Sequence, residues 1–380
     1  MPGTGQEESY VELSDEQKLA WLRLFRSENV GGATFRDLLN HFGSATAALD
    51  AIPDLSRRGG SRRTIKICSM ADAERELRAI AAAGAHLVAI GERGYPLLLR
   101  HVDAPPPLLT IRGSMDIFSR AAIAIVGSRN CSISGKKMAV MLARDLGEAG
   151  FAIVSGLARG IDTAAHESSL PTGTIAVLAG GIDHIYPASN EPLYHAMLAQ
   201  DGAIMTEMPI GHNVRPQDFP RRNRLISGSA YGVVVIEAAT KSGSLYTARF
   251  ATEQGREVFA VPGSPLDPRS AGCNKLIKDG AALVRSAEDV IVEIQPLIGR
   301  PPPERSSARE EDGEQQLPLE PAEDDARRQV TGALDTTPVA IDEIIRHTGL
   351  RAAVVQLILL ELDLAGRLER HGGQKVSLIP

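Results

Sequence analysis

Residues 123–135 read IAIVGSRNCSISG. Four apolar residues make a short strand, Gly127-Ser128-Arg129 makes a turn, and Ser132 or Ser134 can open a helix. The same order recurs along the chain. FAIVSG (151–156) leads to a helix from Gly160, and TIAVLAGG (174–181) to one near Asn190. AIMTEM (203–208), YGVVVIEAA (231–239) and EVFAVPG (257–263) are each followed by a further helical segment. These runs are apolar throughout rather than alternating, so the strands are buried on both faces. Strand and helix in repetition predict an α/β fold, an extended Rossmann-like, doubly wound and mostly parallel sheet.

Outward from this core the character changes. Residues 86–122, with PPPLLTIRG, form the entry to the sheet domain. LAWLRLF (19–25) and FRDLLNHFG (35–43) carry apolar residues at helical spacing on either side of Gly31-Gly32. They predict an N-terminal helical domain of SAM or helix-hairpin-helix type. Residues 300–328 hold nine Asp/Glu, five Arg and five Pro, the composition of a self-repelling linker. Beyond it, IDEIIRHTGL, RAAVVQLILLELDLAG and RLERHGGQKVSLI read as helix, helix and Gly-Gly hairpin, a winged helix. The expected division is a disordered tail (1–13), a helical domain (14–85), the sheet domain (86–298), an acidic linker (299–326) and the winged helix (327–380).

The chain has 380 residues and a net charge of -6, much of it in the acidic linker. A local basic groove remains compatible with that balance. The polar, acidic start is no secretory signal, and the longest apolar runs are too short to span a bilayer. Cys68, Cys131 and Cys273 are scattered, with neither a disulfide framework nor metal-ligand spacing. A reducing cytoplasm, no membrane and no metal are expected.

Ligands of such sheets bind at the carboxyl ends of the strands. Gly127-Ser128-Arg129 before a helix has the form of a phosphate cradle, with a guanidinium to add a charged fork. It is not G-x-G-x-x-G, and no acidic residue follows at the ribose distance, so no nucleotide cofactor is expected. Lys241 before Ser242-Gly243-Ser244 makes a second such loop. Ser155-Gly156 ends a strand ahead of Asp162 and His166. Those two are four apart and could be an acid/base pair, or could cap the helix and bond a neighbouring loop. Tyr186 could stack on a base, although a lone aromatic says little.

FPRRNRLISG (219–228) sets Arg221, Arg222 and Arg224 near a helix start, where cations oppose the helix dipole, so an anion is expected there. Arg221 and Arg224 share a face and Arg222 points elsewhere. One of the three could pair inward with Glu237 or Glu207. Leu225 and Ile226 anchor the helix. Two anion-type loops and an arginine cluster at one sheet edge suggest a ligand with several phosphates.

These loops, in this order, resemble the DprA/Smf family, the DNA-processing protein A of natural transformation. IVGSRNCSISG, VSGLARGIDTAAH, GGIDHIYPASN, FPRRNRLISG, EAATKSGSLYTA and VFAVPGSPLDPRSAGCNKLIKDGA carry the resemblance over residues 123–282. It implies a cytoplasmic, dimeric protein of competence that binds and protects single-stranded DNA and loads the RecA recombinase. It implies neither catalysis nor a cofactor. By motif, Gly127, Ser128 and Arg129 are expected to contact the DNA backbone. Ser155, Gly156, Arg221, Asn223, Arg224, Lys241, Ser242, Gly243 and Ser244 are expected to line the same pocket. Many relatives carry a basic residue just after the Tyr-Pro turn, where this chain has Ala188-Ser189.

The alternative is an enzyme, a phosphoribohydrolase on a related Rossmann-like fold. Those carry a glutamate just after the Gly-rich turn, where this chain has Leu245-Tyr246-Thr247-Ala248-Arg249. In the winged helix, Glu361 and Asp363 lie along the second helix, which favours a protein contact over a duplex reader.

Overall fold

The computed structural model describes residues 10–299 and 322–379. The expected tail at 1–9 and linker at 300–321 lie outside the described residues. The described chain forms two compact units. One holds Glu76–Val102 and the chain onward from Leu108; the other holds Ser14–Arg75, Asp103–Pro107 and the C-terminal segment.

Four helices come first: α1 (Asp15–Phe25), α2 (Gly32–Phe42), α3 (Ala45–Arg58) and α4 (Met70–Ala82). The sheet unit follows with β1 (Ala85–Ala89), β2 (Leu108–Gly113) and β3 (Ala122–Gly127). Then helix and strand alternate: α5 (Ile133–Glu148), β4 (Ala152–Ser155), α6 (Ile161–Ser169), β5 (Thr174–Val177), α7 (Glu191–Ala199) and β6 (Ala203–Thr206). The second half runs α8 (Asp218–Gly228), β7 (Gly232–Ile236), α9 (Ser244–Glu253) and β8 (Glu257–Ala260). It closes with α10 (Ala271–Lys278), β9 (Ala282–Leu283) and α11 (Ala287–Ile294).

The nine strands lie in the order β1-β2-β6-β5-β4-β3-β7-β8-β9. From β6 to β9 every pairing is parallel. β2 joins β6 antiparallel, and β1 joins β2 antiparallel. Residues 86–122 are therefore part of the sheet itself, an antiparallel edge on a parallel body.

Helices cover both faces. Ile123, Ile125, Ile153, Val234, Ile236 and Phe259 meet Leu142 and Leu146 of α5, Ile161 of α6 and Val290 of α11. Each such side chain contributes about 1.5–3 kcal/mol by leaving water. Ala124, Val233 and Val235 alternate with them and are equally buried, pointing the other way. α8 and α9 pack on one another and on β5 and β7.

The C-terminal segment contains α12 (Asp324–Gly332), β10 (Val339–Ala340), α13 (Ile341–Thr348), α14 (Ala352–Leu364), β11 (Leu368–His371) and β12 (Lys375–Leu378). Its three strands order as β10-β12-β11, the sheet of a winged helix. α14 takes the place of a recognition helix, yet it is buried on nearly every side, from Val355 through Leu357–Leu360 to Leu364. A helix apolar all round belongs in a core. Part of that core is its own winged helix; the rest is α2 and α3.

Polar groups fix this second contact. Thr34 donates to Asp363 (2.8 Å), Asn29 donates to the Leu364 carbonyl (3.0 Å), and Arg367 donates to the Gly59 carbonyl (3.0 Å). Arg370 bridges Asp363 (2.7 Å) and Asp37 (2.8 Å). Arg327 of α12 pairs with the fully buried Glu361 at 2.8 Å. The carboxylates read as unsuited to a duplex are thus the ones that bind other parts of this chain.

Candidate nucleic-acid interface

Strand order places the crevice. The chain passes from β3 outward through β4 and β5 to β6, then returns to lay β7 along the other side of β3. Loops after neighbouring strands that depart in opposite directions leave a gap for a ligand. The gap here lies between the loop after β3, with Ser128-Arg129, and the loop after β7, with Lys241-Ser242-Gly243-Ser244. Arg129 and Lys241 are both exposed. The Arg129 guanidinium carbon lies 4.9 Å from the centroid of the Phe219 ring.

The first loop differs from the expected phosphate cradle. The Ser128 N–H donates to the Ile236 carbonyl (3.3 Å), and the Ser128 hydroxyl accepts from the Asn130 N–H (3.2 Å). Ser132 caps α5 by accepting the Gly135 N–H at 2.9 Å. Glu237, at the end of β7 with φ 53°, accepts the Ser132 N–H (2.8 Å) and the Ser132 hydroxyl. An internal carboxylate thus occupies the helix N-terminus, where the dipole favours negative charge. Gly127 is fixed by packing, because a Cβ there would stand 1.9 Å from the Ile236 carbonyl oxygen.

The second loop is more open. The Ser242 N–H donates to the Ala239 carbonyl (2.9 Å), and the Ser242 and Ser244 hydroxyls bond each other at 2.8 Å. Gly243 is exposed, with open space where a Cβ would stand. Asn223 donates to the Gly243 carbonyl at 3.3 Å and so ties α8 to this loop.

Behind the crevice the loop between β4 and α6 is held from several directions. Leu157 has φ 55°, a conformation a branched side chain adopts only when its surroundings enforce it. Asp162 accepts the N–H groups of Gly156 (3.1 Å) and Ala158 (3.4 Å). His166 accepts the Leu157 N–H (3.3 Å), and Asn190 donates to the Leu157 carbonyl (2.8 Å). Asn190 thus braces a neighbouring loop and gives its own helix no side-chain cap. Ser155 is fully buried and donates to the Ile125 carbonyl at 2.6 Å. Ser155 and Gly156 therefore form the back of the wall and do not face an open pocket. Arg159 of the same loop is exposed. Sequence reasoning passed over it, although a cation in a strand-end loop was the available signal.

Asp162 and His166 are accordingly braces. A backbone N–H can only donate, so Nε2 of His166 carries no proton. The proton sits on Nδ1 and is donated to Thr174 at 2.7 Å. Burial holds the imidazole neutral, with its pKa lowered to about 3. The unfolded chain takes up that proton near the ordinary histidine value, so stability falls as pH drops below about 6.5. Between pH 7.5 and 5 the parent should lose about 2 kcal/mol more than His166→Gln. Denaturant titrations at the two pH values check this; equal losses would refute a buried neutral imidazole.

The arginine cluster divides. Arg222 is only 5% exposed and donates from Nη1 to the carbonyls of Gly156 (2.5 Å) and Val177 (2.6 Å). Burial pulls its pKa down to about 10, with Asp162 holding it up, so the charge persists at neutral pH. Arg221 and Arg224 both bind Glu207, whose side chain is 2% exposed. The anion expected at this helix start is therefore this glutamate, with carbonyl oxygens serving Arg222. Leu225 and Ile226 are buried against the sheet as expected.

Comparison with known proteins follows this geometry. Residues 86–295 match the family model described as DNA recombination-mediator protein A. Residues 15–79 match a DprA-like N-terminal HHH domain, and 301–374 a DprA winged helix domain. The DNA processing protein DprA of Bacillus subtilis is 43% identical over 223 residues, 58% of this chain and 75% of the relative. The crystal structure of DNA processing protein A from Streptococcus pneumoniae aligns with TM-score 0.60 at 33% identity, covering 74% of this chain and 99% of that one. A Helicobacter pylori structure, described by its single-stranded DNA binding mode, aligns with TM-score 0.51 at 28% identity, covering 56% and 96%. With the sheet unit matched almost end to end and relatives above 30% identity over most of their length, the chain belongs to the DNA recombination-mediator protein A (DprA) family.

Proposed function

We propose that the carboxyl edge of the sheet holds single-stranded DNA by its phosphates, and that the chain acts as a recombination mediator. Its role is to protect incoming single strands during natural transformation and to load the RecA recombinase onto them, as a cytoplasmic homodimer. The observation that carries this is the pair of exposed cations, Arg129 and Lys241, on the two loops that flank the β3/β7 crevice. Arg159, on the next loop, extends the positive edge. Phosphate contacts fall to these side chains more than to the β3 loop amides, several of which already bond inside the protein. Arg221, Arg222, Arg224 and Asn223 act as the support that fixes the loops. The Helicobacter pylori relative, a protein described as binding single-stranded DNA, supports the ligand class.

The role is one of binding, not catalysis. The acid/base candidates Asp162 and His166 are buried and committed to loop hydrogen bonds, which favours that reading. The winged helix serves protein contact, since α14 is covered by α2 and α3.

Phosphate binding releases counterions, so affinity falls with salt in proportion to the contacts made. Arg129→Ala and Lys241→Ala should each weaken oligo-dT binding and reduce the slope of log K against log salt by about 0.7. Fluorescence titrations from low to moderate salt measure it. Unchanged affinity and slope in both variants would falsify the groove placement.

A further inference from the structure

Tyr186 belongs to the connection after β5, and its side of the crevice brings no cation, since Ala188 and Ser189 follow. The sequence presents it as an isolated aromatic. In the fold it has a partner: Phe219, the second residue of α8, whose ring centroid lies 5.6 Å away at a tilt of 57°. Arg129 from the β3 loop lies over that same Phe219 ring. Three connections at the carboxyl edge thus converge on one small surface of two rings and a guanidinium plane.

We propose that Tyr186 and Phe219, with Arg129 laid on Phe219, form a stacking platform for an unpaired nucleobase. This rests on the single-strand reading of the crevice and deepens it. Tyr186 is 49% exposed, while Phe219 is half-buried beneath Arg129. Tyr186 therefore offers the ring face and Phe219 supports it. The platform is held in place. Asp218, beside Phe219, accepts from His212 (2.8 Å) and from the Arg215 N–H (2.7 Å), which fixes the start of α8.

Arg129 links the two parts of the ligand. Its guanidinium face is engaged by the ring, while the edge donors stay available to a phosphate. A phosphate at that edge sets the attached base beside Tyr186. Stacking needs no particular base, since every base has a π-face, and that matches a sequence-tolerant binder. Duplex bases are already stacked on each other, so the platform selects for single strands.

The test separates rings from charges. The full-length protein is titrated with oligo-dT and with an abasic oligomer of equal length, which has the same phosphates and no bases. Tyr186→Ala is expected to lower affinity for oligo-dT about tenfold, within the range of one base–aromatic stack. Its affinity for the abasic oligomer and its salt slope stay at the parental values, and Tyr186→Phe binds as the parent does. Equal weakening on both oligomers, or none on either, overturns the platform. If Arg129→Ala and Lys241→Ala flatten the slope while Tyr186→Ala is silent, the groove stands and only the platform falls. If those two variants are also silent, the single-strand reading itself falls.

Discussion

Arg222→Met should cost about 3–5 kcal/mol of stability, the range for breaking a buried ion pair from one side. Methionine keeps most of the volume and removes the charge and every donor. Two carbonyls, of Gly156 and Val177, lose their partner inside the protein. Asp162 loses the cation that pulls its pKa down against burial, and the carboxylate is left among apolar walls. The space is also committed, because a Cβ on Gly156 would stand 2.1 Å from Nη1 of Arg222. Urea unfolding of parent and variant measures the cost. Pairing the change with Asp162→Asn should recover part of it, since neighbours in one network are not additive. A loss below about 1 kcal/mol would show that Arg222 is not the structural cation described here.

Gly59→Ala should be nearly as damaging at a position that looks harmless. Gly59 ends α3 with φ -69°, a conformation alanine adopts readily. On an exposed helix end the change would be neutral or stabilising. Here a Cβ would fall 1.9 Å from the Glu361 carbonyl oxygen of α14 and 2.9 Å from the Ala365 side chain. The obstacle is backbone, so no rotamer relieves it. The expected cost is about 3 kcal/mol, the upper end of overpacking. Hydrogen exchange should show amides of α14 and α3 losing protection together. An unshifted melting curve with intact protection would rule out the close approach.

The sheet was legible because its strands are short apolar runs between polar loops, a pattern that burial on both faces imposes. The antiparallel strands β1 and β2 were not, since residues 86–122 lie ahead of the repeating strand and helix pattern. Strand order was also hidden. Nothing local in the Arg129 and Lys241 loops announces that β7 returns to the side of β3, yet that return makes them neighbours. The arginines show a second limit. A guanidinium bound to Glu207, to two carbonyls or to a phosphate is spelled the same way, and only burial distinguishes them. The helix dipole argument correctly demanded an anion at the start of α5. It could not say that Glu237, from the end of β7, supplies it. Tyr186 and Phe219 failed for the same reason, being partners in space and strangers in sequence.

The contact of α14 with α2 and α3 has a consequence in time. Thr34 and Asp363 are 329 residues apart, and the whole sheet unit is made between them. At a synthesis rate of roughly 5–20 residues per second, α2 waits on the order of 15–65 s for its partner helix to be translated. Throughout that interval the apolar surface meant for α14 faces the cytosol of the synthesising cell, so the opening helices are the segment of this chain most dependent on chaperones.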